Sequence, residues 1–128
     1  MTPAELKARI EAARGFETEA DGIVFECVVP SKLEMRSGFR ARAARGDLGF
    51  DAFLSDLLAR NVRGWRGVMQ GHLVADLDAA DAAVPVPFEP GLLPALFGGR
   101  PELYDTVAQA LIGEYSKRQA AQEETLKN

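Results

Sequence analysis

Along this chain the apolar positions change spacing from segment to segment, and each change predicts an element. Near the N-terminus Leu6, Ile10 and Ala13 share one helical face, Thr2 and Glu5 form a capping box around Pro3, and Gly15 supplies a stop. A helix over 2–14 follows, with a stripe thin enough for peripheral packing or for a partner. Ile23, Phe25, Cys27 and Val29 then alternate with polar or smaller neighbours between the Asp21-Gly22 pair and Pro30, which predicts a strand with Glu26 on its other face. Ser31 and Glu34 make a second capping box, predicting a helix over 32–44. Gly38 weakens it, and the run from Phe39 to Arg42 would also suit a strand. Phe53, Leu54, Leu57 and Leu58 return to helical spacing after Asp51, a candidate cap.

Beyond that helix, Gly64 and Gly67 exclude a good helix and predict a short strand or extended turn around Trp65. Residues 69–83, with Gly71 and scattered aspartates, read as a loop. Pro85 and Pro87 force 84–88 into an extended path, tolerable only at a sheet edge. Leu92 to Phe97 predicts a short helix ended by Gly98 and Gly99. A last helix starts near Pro101, with Leu103, Val107, Leu111 and Tyr115 repeating every four residues and Tyr104, Ala108 and Ile112 widening the stripe. The stripe ends at Ser116. These elements predict an α+β fold: a mostly helical single domain over 1–118 and a flexible charged C-terminal tail over 119–128. A small antiparallel sheet would combine Ile23–Val29 with the segments around Trp65 and Val86.

Length and charge narrow the classes. A chain of 128 residues buries roughly two thirds of the surface its unfolded form exposes, enough for a core without disulfide or metal. A net charge of −4 argues against a chain devoted to nucleic acid. The lone Cys27 fits a reducing compartment. The charged N-terminus lacks a signal peptide's apolar core, and no run is long enough to span a bilayer, so the expected location is cytoplasmic, away from membranes.

Candidate chemistry is sparse. Cys27 in an apolar strand is better explained as a core residue than as a nucleophile. His72, the only histidine, sits in a glycine-flanked loop without a neighbouring ligand, better explained as solvated than as a catalytic base. Asp76, Asp78 and Asp81 fail as a calcium loop, because Asp81 stands at the glycine position and Pro87 at the terminal glutamate position. No glycine-rich phosphate loop is present, and no cofactor is expected. The segment from Lys32 to Arg45 sets Lys32, Arg36, Arg40, Arg42 and Arg45 against Glu34 alone, a local surplus of about four positive charges. It suits contact with nucleic acid or an acidic protein, or a solvated face paired with acids elsewhere. Trp65, between Arg63 and Arg66, is either a core anchor or an interface anchor.

The order of several short motifs resembles the small tail assembly chaperones of long-tailed bacteriophages and prophages. It comprises Phe53, Leu57 and Leu58 on one helix, Val62 through Gly64, Trp65, Gly67 and Val68, and then Val86, Pro87 and Phe88 after a variable loop. Leu92 and Leu93, Pro101 with Leu103, an aliphatic helix through Ile112, and the terminal Lys127 and Asn128 complete it. Glu89 and Pro90 depart from it, since the family commonly has a small hydroxyl residue after the phenylalanine. The resemblance implies a non-enzymatic protein that binds the tape measure protein and promotes tail tube assembly. The tail tube protein is then a second partner, and self-association remains open. Arg63, Trp65, Arg66 and Phe88 are the expected partner-contact residues, for client or self. Two competing expectations stand beside it: a small DNA-binding regulator using Lys32 to Arg45, and an enzyme subunit built around His72 and Cys27.

Overall fold

Thr2 and Ser31 each open a helix by the same reciprocal device. The Thr2 N–H donates to Glu5 Oε2 at 3.1 Å and the Glu5 N–H to Thr2 Oγ1 at 3.2 Å, starting α1 (Pro3–Arg14). The Ser31 N–H donates to Glu34 Oε1 and the Glu34 N–H to Ser31 Oγ, both at 3.1 Å, starting α2 (Lys32–Asn61). Each box satisfies two backbone donors that a helix start leaves unpaired. The computed structural model describes residues 1–127; Asn128, which closes the motif series and the expected tail, lies outside the described residues. At 68% helix with a three-stranded antiparallel sheet, the protein is the mostly helical α+β single domain expected.

The sheet has the order β1 (Gly15–Ala20), β2 (Ile23–Val28), β3 (Val62–Arg66). Asp21 and Gly22, with φ of 52° and 77°, form the two-residue turn between β1 and β2, and Ala20 pairs with Ile23 across it. β2 is central. Phe25 pairs with Trp65 and Glu26 with Gly64, before a bulge sets Cys27 against Val62. Here the expected membership of the sheet is corrected. Its third strand is β1, not the segment around Val86. That segment instead flanks the chain just beyond β3: the Val86 N–H donates to Val68 O at 2.8 Å and the Gln70 N–H to Val84 O at 2.9 Å. Pro85 and Pro87 alternate with these bonded positions, where a missing N–H costs nothing.

α2 is two limbs, 32–45 and 47–61, broken at Gly46, whose φ of 66° and ψ of −144° are open essentially to glycine alone. The limbs fold back on each other. Asn61 Nδ2, at the end of the second, donates to Glu34 Oε2 at 3.1 Å in the first turn of the first. Two glycines make the approach close. A Cβ on Gly38 would meet the Phe53 ring at 2.3 Å, and one on Gly49 would meet Ala41 O at 2.4 Å. The run from Phe39 to Arg42, for which a strand was an alternative, is helical.

One core joins these parts. Ile23, Phe25 and Cys27 on β2 pack with Met35, Phe53, Leu57 and Leu58 of α2, with Leu93, Leu96 and Phe97 of α5 (Leu93–Gly99), and with Leu103, Val107 and Leu111 of α6 (Pro101–Lys127). The loop over 69–83 contains two single-turn helices, α3 (Gln70–Leu73) and α4 (Ala79–Ala82). Residues 119–127, expected as a charged tail, continue α6 instead. Their Gln, Ala and Glu content favours helix even where no apolar stripe is buried. α1 buries no residue, leaving Leu6 and Ile10 at 44% and 57% exposure. It is tied by its C-terminal end, where Arg14 Nε donates to Val29 O at 3.0 Å and Arg118 Nη1 to Ala13 O at 2.7 Å.

A candidate protein-binding groove

The four residues expected to touch a partner do not form one surface. Trp65 is buried at 6% exposure, its Nε1 donating to Val86 O at 2.8 Å and its ring meeting Phe88 edge-on at 5.0 Å. Trp65 and Phe88 therefore clamp the 84–88 segment to β3 from within the domain. Arg63 is exposed and turns back, Nε donating to Arg60 O at 2.9 Å. Arg66 lies on the outer face of the sheet, bonding Glu17 Oε1 at 2.9 Å and Glu26 Oε1 at 3.2 Å. Glu17 and Glu26 are directly paired across β1 and β2, so Arg66 relieves a like-charge contact. Hydrogen bonding to Arg66 holds the Glu17 carboxyl below its ordinary range.

The other candidate chemical residues also have structural partners. Cys27 is buried, with Sγ 3.8 Å from Phe25 O; burial, reinforced by the Glu26 charge, pushes its thiol up to about 12. A thiol held protonated in this way is a poor nucleophile. His72 Nδ1 accepts from the Met69 N–H at 2.8 Å, closing the single turn of α3. Asp78 caps α4, its Oδ1 accepting from the Asp81 N–H at 2.9 Å. Among the described residues, no three His, Cys, Asp or Glu side chains are grouped to hold a metal ion. Among the same residues, no helix is long and apolar enough to cross a membrane.

What the structure does open is an apolar groove of about 460 Å³ between the second limb of α2, α5 and the start of α6. Leu58, Leu93 and Phe97 supply its buried apolar wall, and Ser55, Ala59, Pro94, Gly98 and Pro101 its exposed lip. Tyr104 stands edge-on to Phe97 at 5.8 Å, with its hydroxyl 3.3 Å from Ser55 Oγ. The sequence builds this opening locally. Pro90 begins the short turn before α5, Pro94 lies in the first turn of α5, and Pro101 begins α6. Each proline starts a new axis where no N–H is required, so α5 and α6 meet the α2 limb at an opening rather than closing over it.

No charged side chain lines the groove, and Tyr104 is its one ionisable group. Such a lining can desolvate an apolar surface and approach it closely at alanine and glycine. The spacing of Leu92 to Phe97 and of Tyr104 was visible in the sequence. Their meeting with Ser55 and Ala59 was not, because no periodicity links positions so far apart. No protein family, curated protein or solved structure matches this chain.

Proposed function

We propose that this protein is a tail assembly chaperone of a long-tailed phage or prophage. It covers the apolar face of the tape measure protein in the host cytoplasm and hands that protein to the tail tube subunits, without chemistry of its own. The open groove carries the proposal: it is apolar, uncharged along its lining, and rimmed by the exposed Ala59, Pro94, Gly98 and Pro101, a concave surface that an apolar partner can cover. A long amphipathic client helix offers the complementary surface, laid in as a helix in a groove. The residues that carry the family resemblance add support of a different kind. Phe53, Leu57, Leu58, Val62, Trp65, Val68, Leu93 and Leu103 all belong to the core behind the groove. The motif series thus describes the scaffold, and client recognition falls to the lip around Ser55, Ala59 and Gly98.

Co-expression with a phage tape measure protein, the long helical client that the proposal names, provides the test. A pull-down should recover that protein with the wild-type chain and much less of it with Ala59→Arg, which sets a charge at the exposed lip. Recovery of nothing with the wild type, or equal recovery with the variant, contradicts the proposal.

A further inference from the structure

The first limb of α2 presents a second surface, on the side away from its packing. Met35 and Gly38 are the limb's buried residues, facing inward. Leu33, Arg36, Arg40 and Ala44 follow the three-and-four spacing of the opposite face, and all are exposed. Lys32 extends the row of cations by one turn, so that three positive charges recur at a rise of about 6 Å. Leu33 is 64% exposed and Phe39, on the flank, 58%.

The remaining charges of the limb are directed elsewhere. Arg42 lies over the Phe50 ring at 5.0 Å, and Arg45 lines the crevice between the two limbs. Glu34, the limb's only acid, is turned inward to the Asn61 amide, with Arg14 at 3.7 Å and Arg60 at 3.9 Å. Lys32, Arg36 and Arg40 form no ion pair among the described residues. The face therefore combines uncompensated positive charge with large apolar side chains left in water.

We infer that this face docks an acidic amphipathic helix of a partner protein, independently of the groove. Carboxylates at four-residue intervals on such a helix match the row of Lys32, Arg36 and Arg40, while its apolar residues cover Leu33 and Phe39. Charge complementarity selects the sign, and the exposed apolar pair selects a helix over nucleic acid. A phosphate backbone would meet the cations and leave Leu33 and Phe39 in water.

Fluorescence anisotropy with three probes tests this: a synthetic helix of about 20 residues with Glu at four-residue spacing beside Leu, its Lys-for-Glu twin, and a short DNA duplex. The acidic peptide should bind best, weaken with added salt, and lose about tenfold in affinity with R36E/R40E. Leu33→Ser with Phe39→Ser should cost several-fold as well, whereas Ala59→Arg should leave binding unchanged. All five positions are exposed, and circular dichroism checks that each variant folds. Tighter binding of the duplex than of the acidic peptide overturns the inference in favour of nucleic acid. Equal binding of the twin, or indifference to R36E/R40E, overturns it outright. A wild-type dimer in sedimentation that R36E/R40E converts to monomer would assign the face to a second copy and overturn it too.

Discussion

Replacing Gly49 with alanine sets two effects of opposite sign against each other. Gly49 lies within the second limb of α2, where alanine outranks glycine by about 1 kcal/mol, so propensity alone predicts a gain. The added Cβ, however, would stand 2.4 Å from Ala41 O, 2.7 Å from Arg45 Cβ and 3.1 Å from Ala41 C. The nearest of these is backbone of the facing limb, which no rotamer change can move. The limbs must part, and overpacking of this kind costs about 1–3 kcal/mol. Parting them also loosens Phe53 against Gly38 and lengthens the Asn61–Glu34 bond that joins the hairpin's ends. We therefore expect a net loss of up to about 2 kcal/mol. Gly113→Ala in α6 is the control, because its Cβ would meet nothing within 4 Å; there the gain of about 0.5–1 kcal/mol should appear undiminished. Urea unfolding followed by circular dichroism reads both. With slopes of about 1–3 kcal/mol per molar, the two midpoints should move in opposite directions by several tenths of a molar. A midpoint for Gly49→Ala at or above wild type would refute the close-packed hairpin.

Trp65→Phe removes the indole donor to Val86 O and should cost about 1–3 kcal/mol, with faster amide exchange at Val86 as the local readout. Burial of Glu34 raises its carboxyl, but the bonds from Asn61 and Ser31 and the nearby Arg60 charge outweigh this, and the net shift is downward. Its contribution to stability is thus present above the ordinary carboxylate range and lost as pH falls through its lowered value, so Glu34→Gln should flatten the acid limb of a stability–pH profile. Cys27 should resist a disulfide reagent at neutral pH in the folded protein and react at once in denaturant. Arg118→Ala should release the C-terminal end of α1 from α6, seen as faster exchange over residues 11–15 with little change in the global midpoint.

Local chemistry made much of this fold legible. Both capping boxes, the β2 alternation, the break at the glycines of 62–68 and the four-residue repeat of α6 are each dictated by residues within one or two turns. β1 escaped because Phe16 is its only large apolar residue and Glu17 and Glu19 face out. Its one signal was the Asp21-Gly22 pair, which makes a hairpin only if strands flank it on both sides. Gly38 reads in sequence as a helix weakener, and in the fold it is the space that the Phe53 ring fills. Trp65 shows the limit from the other side. A tryptophan between two arginines has the composition of an interface anchor, and only the distant Val86 carbonyl and Phe88 ring make it a core residue. The groove joins positions from three helices, and its shape depends on where prolines redirect the chain.

The proposal that this protein covers an apolar client helix is tested most directly by two-dimensional nuclear magnetic resonance, titrating the labelled chain with a soluble helical fragment of a phage tape measure protein. Shifts should gather at Ser55, Ala59, Phe97, Gly98 and Tyr104 around the groove and disappear with Ala59→Arg. A spectrum that does not change, or changes that leave those residues untouched, would contradict the account.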